Sequence, residues 1–150
     1  MKIATITETT ELEKLLPLLS DIEQYYPDIL CWYKEKFLHF PSLSNKALIA
    51  YNDNDEIIGF CLGKKSESET KLRCIYVIPE YRCKGTGIRL IDEMLIELDD
   101  KYPVATVSEE LLHMYSYLFI SKYKWKIIDI QKGLYRIGKL EYFFNGYHKK

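Results

Sequence analysis

The chain reads, from Ile75 to Leu90, Ile-Tyr-Val-Ile-Pro-Glu-Tyr-Arg-Cys-Lys-Gly-Thr-Gly-Ile-Arg-Leu. The first residues of this stretch are β-branched and aromatic, which is typical of a strand. Pro79 ends that strand because proline has no backbone N–H for a sheet ladder. Beyond the glycines, apolar residues recur at helical spacing as far as Leu98. The stretch therefore predicts a strand over 71–78, a glycine-containing loop, and an amphipathic helix over 87–98.

The loop between this strand and this helix has the features of an anion site. The first N–H groups of a helix have no carbonyl partner, and together with the helix dipole they attract phosphate. Gly85 and Gly87 lack a Cβ atom, so the backbone can approach a phosphate closely. Arg82 and Lys84 add positive charge. The loop lacks the Gly-Lys-Ser/Thr of a Walker loop, and Leu90 stands where a Rossmann fingerprint has its third glycine.

The elements around this stretch alternate between strand and helix patterns. Strand patterns cover 2–6, 46–51, 57–62, 71–78, 103–107, 126–130 and 134–144, and helix patterns start at Thr10 and cover 28–37, 87–98 and 109–121. Thr10 and Glu13 match a capping box, and Pro17 predicts a kink or a late start in the first helix. The polar residues 52–56 predict a hairpin. This order predicts an α/β (α+β) domain in which one sheet carries helices on its faces.

The composition fits one globular domain over residues 1–150. Hydrophobic residues make up 47% and charged residues 29% of the 150 residues, and the net charge is −1. A balance of this kind excludes wholesale disorder and gives no strong field for nucleic acid or a membrane surface. Residues 1–120 carry a net charge of −7 and residues 121–150 a net charge of +6. The basic segment is therefore either a docking surface or simply a solvated face.

The chain shows neither a membrane span nor a signal-peptide core, so we expect a cytoplasmic protein. Four cysteines lack the paired spacing of a zinc or redox site, and three histidines form no ligand-spaced cluster. These residues are Cys31, Cys61, Cys74, Cys83, His39, His113 and His148. We therefore expect free thiols and no metal.

The loop resembles a known motif. Arg82-Cys-Lys-Gly85-Thr-Gly87 is similar to the coenzyme A pyrophosphate loop of the GCN5-related N-acetyltransferase (GNAT) superfamily, whose pattern is Arg/Gln-x-x-Gly-x-Gly/Ala. The residues before it, Val77-Ile-Pro79-Glu-Tyr-Arg82, match the Val-x-Pro-x-x-Arg that the family often has there. The order of predicted elements is also that of the family. The resemblance implies an acyl-CoA N-acyltransferase-like fold with a mixed, mostly antiparallel central sheet.

The resemblance implies an N-acetyltransferase that moves an acetyl group from acetyl-CoA to a primary amine by direct attack, without a metal. The acceptor would be a small-molecule or protein amine, and neither nucleic acid nor membrane is an expected partner. The family binds the cofactor through the strand and the loop, which here are Tyr76, Val77, Ile78, Arg82, Cys83, Lys84, Gly85, Thr86, Gly87 and Ile88. In the family a backbone N–H of this strand stabilises the oxyanion, and by spacing from Arg82 it falls near Tyr76.

The family commonly uses a tyrosine of the last helix to protonate the leaving thiolate, in the pattern Asn, six residues, Tyr, then Gly-Phe one turn later. Counting forward from the strand at 103–107 places that role on Tyr117. Counting back from Lys124-Trp125, which stand where Gly-Phe would be, reaches Ile120 instead. The difference predicts an insertion of about one helical turn. We expect Tyr117 as the catalytic acid, with Tyr115 facing elsewhere, unless both tyrosines only pack or line the surface.

The general base and the acceptor site are less well marked. Glu67 and Glu69 are candidates that would act through water. Six aromatic residues of the early helices form either an apolar or cation-accepting pocket or simply core, namely Tyr25, Tyr26, Trp32, Tyr33, Phe37 and Phe40. The acidic balance of residues 1–120 would suit a cationic acceptor.

Two other functions stay open at this stage. The missing Gly-Phe suggests a catalytically impaired coenzyme A-binding module that acts as a sensor or interaction protein, and the basic segment suggests a docking domain. The aromatic segment 134–144 would form an exposed sheet edge, which usually needs covering, so we expect a homodimer.

Overall fold

The computed structural model describes residues 1–147, and a sheet of seven strands runs through it. The strands are β1 Lys2–Thr5, β2 Asn45–Tyr51, β3 Ile57–Lys65, β4 Thr70–Val77, β5 Val104–Ser108, β6 Ile127–Lys132 and β7 Leu140–Phe144. Their order in the sheet is β1-β2-β3-β4-β5-β7-β6. The pair β4–β5 is parallel and the other neighbours are antiparallel. The predicted mixed, mostly antiparallel sheet is therefore confirmed.

Five α-helices cover the two faces of the sheet. They are α1 Thr9–Glu13, α2 Leu16–Ser20, α3 Ile29–Tyr33, α4 Thr86–Leu98 and α5 Leu112–Ser116. Wide π-helical turns extend α3 over Lys34–His39 and α5 over Tyr117–Lys122. A 3₁₀ turn over Pro79–Tyr81 leads from β4 into the loop before α4. The last helix pattern, expected over 109–121, thus begins as a regular helix at Leu112.

The first helix pattern forms two short helices and not one. Pro17 is the second residue of α2, and it lacks the N–H that would continue the hydrogen bonds of α1. The expected capping box is wrong: Glu8 precedes the first turn of α1, and among the described residues no side chain caps it. A cap at Thr10 fails because Thr10 already lies inside the helix.

The core is divided by the sheet into two clusters. On one face α4 and the segment after α5 contribute Leu90, Ile91, Met94, Leu98, Phe119 and Trp125. On the other face the early helices contribute Leu12, Leu15, Leu19, Ile29, Tyr33 and Phe37. Tyr33 and Phe37 are therefore core residues, whereas Phe40 is 74% exposed.

The late strands differ from the expectation. Gly133 and Gly138 have φ angles of +81° and +75°, which end the extended backbone, so the strand pattern of 134–144 is shortened to β7. β7 lies between β5 and β6, and its Phe143 and Phe144 are fully buried. The expected exposed edge at 134–144 is therefore wrong, because β6 forms that edge. The homodimer stays a prediction without this support.

The structure adds two further observations on residues 1–147. No helix there is both long and apolar enough to cross a membrane. No three or more His, Cys, Asp or Glu side chains there are grouped as a metal site. The last three residues of the basic segment, 148–150, lie outside the described residues.

Candidate active site

The sheet opens between β4 and β5. The two strands pair only at Lys71–Val104 and Leu72–Ala105, and from there they diverge. β5 turns toward β7, which pairs along its other edge, while β4 stays bound to β3 as far as Val77. The edge of β4 beyond Leu72 is thus left without a strand partner within residues 1–147.

The pleat of β4 decides which backbone groups face this opening. Ile78 N–H donates to Ile58 O across the β3–β4 pair. Because antiparallel ladders alternate, Tyr76 and Cys74 also direct their N–H groups at β3, and Ile75 and Val77 direct theirs at the opening. Two side chains confirm this direction: Tyr115 Oη donates to Ile75 O at 3.4 Å and Arg82 Nε to Val77 O at 2.8 Å.

This direction corrects the expected role of Tyr76. Its N–H belongs to the β3–β4 ladder and cannot also stabilise an oxyanion. Its side chain is buried against Phe60, and its hydroxyl donates to Asp21 Oδ2 at 2.7 Å. Burial raises the pKa of Tyr76 to about 12. The free N–H groups belong to the neighbouring residues Ile75 and Val77, and the N–H of Ile78 is likewise occupied.

Residues 82–87, the cradle, lead from β4 into the start of α4 and include two residues in the left-handed conformation. Cys83 and Gly85 have φ angles of +61° and +87°, and Gly85 directly precedes the helix. The first N–H groups of α4 begin at Thr86, and among the described residues no side chain caps them. A Cβ at Gly85 would meet nothing within 4 Å, so this position faces open space. The predicted residues of the loop therefore lie together at a helix N-terminus, the kind of site whose free N–H groups attract anions.

The two cations of the loop interact with neighbouring aromatic rings. The Arg82 guanidinium lies 5.4 Å from the centroid of the Tyr76 ring, and the Lys84 ammonium lies 5.5 Å from that of Tyr81. Arg82 therefore joins the loop to the end of β4, both by its contact with the Tyr76 ring and by its hydrogen bond to Val77 O. Gly87 packs close to the same strand, because a Cβ there would lie 3.7 Å from Val77 Cγ2.

A cavity of about 460 Å³ fills the opening between β4 and β5 and reaches both faces of the sheet. On one face it is lined by Leu111, which precedes α5, by Tyr115 of α5 and by Phe119 of the turn that follows. On the other it is lined by aromatic residues from the early helices and the β6–β7 loop, which are Tyr26, Trp32 and Tyr135. Two of the six predicted aromatic residues thus line a cavity, and the sheet opening joins it to the edge of β4.

The two candidate tyrosines of the last helix point in different directions. Tyr115 lines the cavity, stacks on Phe119 and reaches Ile75 O. Tyr117 is 78% exposed and does not line the cavity. Two residues correspond to about 200° of helical rotation, so only one hydroxyl can face β4. The geometry favours Tyr115 over the expected Tyr117, which begins the π-helical turn.

Lys124 and Trp125 stand at the positions where the family pattern has Gly-Phe. Lys124 has a φ of +61°, the left-handed conformation that glycine adopts most easily. Trp125 is buried, its ring lies 4.6 Å from that of Phe119, and its Nε1 donates to Lys101 O. The two residues thus adopt the conformation and burial that a Gly-Phe pair would supply.

A buried carboxyl group that the sequence did not single out lies behind the cavity. Glu141 of β7 is 4% exposed, and Tyr26 Oη donates to its Oε2 at 3.0 Å. Burial raises the pKa of Glu141 from 4.5 to about 7. Burial beside Glu141 also holds the pKa of Tyr26 well above its ordinary value. No local pattern indicates this pair, because its members are 115 residues apart.

The two glutamates expected as base candidates lie in the β3–β4 turn region. Glu69 forms ion pairs with Lys64 at 3.0 Å and with Lys71 at 3.2 Å. These two lysines hold the pKa of Glu69 below its ordinary value, although burial opposes them. Glu67 is exposed and is not part of the cavity lining.

Comparison with known proteins agrees with this geometry. The profile of the acetyltransferase (GNAT) domain matches residues 44–118, which is half of the chain. The chain belongs to the GNAT acetyltransferase family. The matched residues include β4, the cradle, α4 and Tyr115, so the GNAT profile covers the whole open edge. The protein is accordingly an acetyl-CoA-dependent acyltransferase.

Solved structures share the GNAT fold at low sequence identity. A GNAT-family protein from Desulfovibrio desulfuricans has a TM-score of 0.74 at 14% identity over 95% of this chain and 96% of its own. Arabidopsis thaliana NAA60, crystallised with acetyl-CoA, has a TM-score of 0.70 at 16% identity over 95% and 97%. The aminoglycoside 6'-N-acetyltransferase from Enterococcus faecium has a TM-score of 0.69 at 15% identity over 96% and 95%. Comparison with curated protein sequences finds no match.

Proposed function

We propose that the protein transfers the acetyl group of acetyl-CoA to a primary amine by direct attack. The main support for this proposal is that three features lie next to one another: the cradle before α4, the unpaired edge of β4, and the cavity between β4 and β5. They offer a phosphate site, a strand edge for an extended amide-containing chain, and a space where two reactants can meet. Holding both reactants side by side removes much of the entropic cost of a bimolecular step.

The chain has groups suited to the pyrophosphate and to the pantetheine chain of the cofactor. The free N–H groups around Gly85 would hold the pyrophosphate, with Arg82 and Lys84 nearby. The open backbone groups of Ile75 and Val77 would bind the amide groups of the pantetheine chain, as a neighbouring strand would. Arabidopsis thaliana NAA60, which has the same fold and was crystallised with acetyl-CoA, supports this choice of donor.

Two groups of the opening serve the acyl transfer itself. The amine nitrogen attacks the thioester carbon, and Ile75 N–H donates a hydrogen bond to the oxygen as it becomes negative. The carbon–sulfur bond then breaks, and Tyr115 Oη protonates the thiolate. Burial raises the pKa of Tyr115 well above its ordinary value, so its hydroxyl keeps a proton to donate.

The proton of the attacking amine passes to the pair of Tyr26 and Glu141. Tyr26 lines the cavity and already donates its hydroxyl proton toward Glu141. It accepts the ammonium proton on its oxygen as its own proton moves to the Glu141 carboxylate. A base with a pKa of about 7 suits this task at neutral pH. Glu69 is a weaker base because two lysines stabilise its charge.

Direct attack is favoured over an acyl-enzyme route. Cys74 is the cysteine that lines the cavity among the described residues. Burial raises the pKa of its thiol to about 12, so it carries almost no thiolate at neutral pH. The thiolate is the nucleophilic form of cysteine. Cys74→Ser should accordingly keep its turnover, and a burst of acetylated protein would contradict direct attack.

The test is the release of free thiol from acetyl-CoA in the presence of a panel of amines. Tyr115→Phe and Tyr117→Phe form a matched pair, because both lose one hydroxyl from the same helical segment. We expect Tyr115→Phe to lower kcat by about 10²–10⁴-fold while coenzyme A binding is kept, and Tyr117→Phe to behave as the wild type. A loss in Tyr117→Phe alone would return the role to Tyr117.

The second candidate function is a coenzyme A-binding module without catalysis. The missing Gly-Phe that suggested this function no longer supports it, because Lys124 adopts the left-handed conformation and Trp125 is buried. Tight coenzyme A binding without thiol release for any amine would establish this second function.

A further inference from the structure

The charged side chains that line the cavity are mainly cationic. Four basic side chains and one carboxylate contribute to the lining, and they are Lys36, Lys64, Lys71, Arg73 and Asp28. This lining contrasts with the net negative charge of residues 1–120, which had suggested a cationic acceptor. A bound acceptor interacts with the charged side chains that line the cavity, so these side chains matter more than the net charge of residues 1–120.

The lysines of the lining have their own partners in the protein. Lys64 and Lys71 both contact Glu69, which lies behind them at the start of β4. Lys36 is exposed at the mouth beside α3. Two lysines of the lining, Lys64 and Lys71, are therefore ion-paired with Glu69, and Arg73 is the remaining cation of β4 in the lining.

The Nε of Arg73 is buried and has no hydrogen-bond partner within residues 1–147. Its guanidinium lies over the Trp32 ring, 5.3 Å from the centroid. Burial lowers the pKa of Arg73, which reflects the cost of removing its charge from water. Glu69 attracts the charge of Arg73 but forms no ion pair with it, and a partly buried cation is costly unless an anion binds it directly. A guanidinium also matches a carboxylate by two parallel hydrogen bonds.

Arg73 lies two residues before Ile75 on β4, so about 7 Å of strand separates it from the N–H that faces the thioester. We propose that the acceptor is a small primary amine that also carries an anionic group, above all a carboxylate, and that Arg73 binds this anion. Trp32 and Tyr26 would contact the apolar part between the two ends. The inference rests on the proposed acetyl transfer and disfavours polyamines and aminoglycosides, whose several cations would meet a cationic lining.

The experiment compares thiol release from acetyl-CoA for pairs of amines that differ only in charge. Each amino carboxylate, from α-amino acids to longer ω-amino acids, is measured beside its own carboxamide. Phosphoethanolamine beside ethanolamine shows whether phosphate replaces carboxylate, and spermidine represents polycations. We expect kcat/KM for the best carboxylate to exceed that of its amide by about 10- to 150-fold, the range of a charge-assisted hydrogen bond. Equal or faster turnover of amides or spermidine would overturn the inference and leave the acetyltransferase intact.

Variants then assign the preference to Arg73. Arg73→Gln should bring the ratio of kcat/KM for the carboxylate to that for its amide close to one. Arg73→Lys should restore part of this ratio, because lysine supplies the positive charge but not the planar guanidinium that binds both carboxylate oxygens. Lys132→Gln, an exposed change on β6 that removes the same charge, should keep the wild-type ratio. An unchanged ratio in a folded Arg73→Gln would overturn the assignment. Absence of thiol release with every amine would instead refute the proposed function itself.

Discussion

Replacing Glu141 by Gln should change how the stability of the protein depends on pH. Glu141 is buried in β7, and burial raises its pKa from 4.5 to about 7. Between these two values the folded protein keeps a proton that the unfolded chain releases. Its contribution to stability is therefore full below the unfolded pKa and is lost as pH rises through the folded pKa. Each pKa unit corresponds to about 1.36 kcal/mol, so the loss is about 2.5 kcal/mol between pH 5 and pH 8.

The assay is urea denaturation of the wild type and Glu141→Gln at both pH values. Other titrating groups cancel in the difference between the two proteins. We expect the variant to gain about 2.5 kcal/mol relative to the wild type between pH 5 and pH 8, because glutamine cannot ionise but can still accept the bond from Tyr26. Glu110→Gln is a control without this effect: hydrogen bonding to Arg136 lowers the pKa of Glu110, so the group is ionised in the folded and in the unfolded protein over this pH range, and the curve of the variant should parallel that of the wild type. Parallel curves for wild type and Glu141→Gln would refute both the perturbed carboxyl group and its role as proton acceptor.

Further predictions concern packing, proton transfer and assembly. A Cβ at Gly59 would lie 2.8 Å from Tyr76 O, so Gly59→Ala should lower the free energy of unfolding by about 1–3 kcal/mol. Gly63→Ala should lower it less, because its Cβ would meet the flexible side chain of Met94. Thermal unfolding of both variants checks this order. The acid limb of the kcat/KM profile should lie near pH 7 and disappear in Glu141→Gln, and an unchanged profile would exclude Glu141 as the base. Light scattering at tens of micromolar should give twice the chain mass, and Ile130→Lys on the exposed edge β6 should reduce it; a monomeric wild type would end the homodimer prediction.

The sequence predicted the parts of the site that depend on short-range patterns. The strand β4, the turn at Pro79, the loop at Gly85 and the helix α4 follow one another along the chain, and each has its own local signal. The structure places them as expected. The N–H groups that face the opening differ from the expectation by one residue, because spacing from Arg82 does not reveal the pleat of β4.

The remaining parts depend on contacts between distant residues. β7 enters the sheet between β5 and β6, an order that no periodicity indicates, and this order buries Glu141 beside Tyr26. The choice between Tyr115 and Tyr117 depends on helical register. A π-helical turn begins at Tyr117 and changes that register. The contact of Arg73 with the Trp32 ring likewise depends on the position of α3, which no local pattern on β4 indicates.

The most direct test of the account is the affinity of coenzyme A for two glutamate variants, measured by titration calorimetry. Gly85 and Gly133 both have a φ above +80° and open space at the Cβ position, so glutamate introduces the same charge and a similar backbone strain of about 1–2 kcal/mol at each. Gly85 lies in the cradle before α4, whereas Gly133 follows β6. We predict that Gly133→Glu binds coenzyme A as the wild type does and that Gly85→Glu loses binding. Wild-type affinity in a folded Gly85→Glu would contradict the assignment of the cradle as the coenzyme A site.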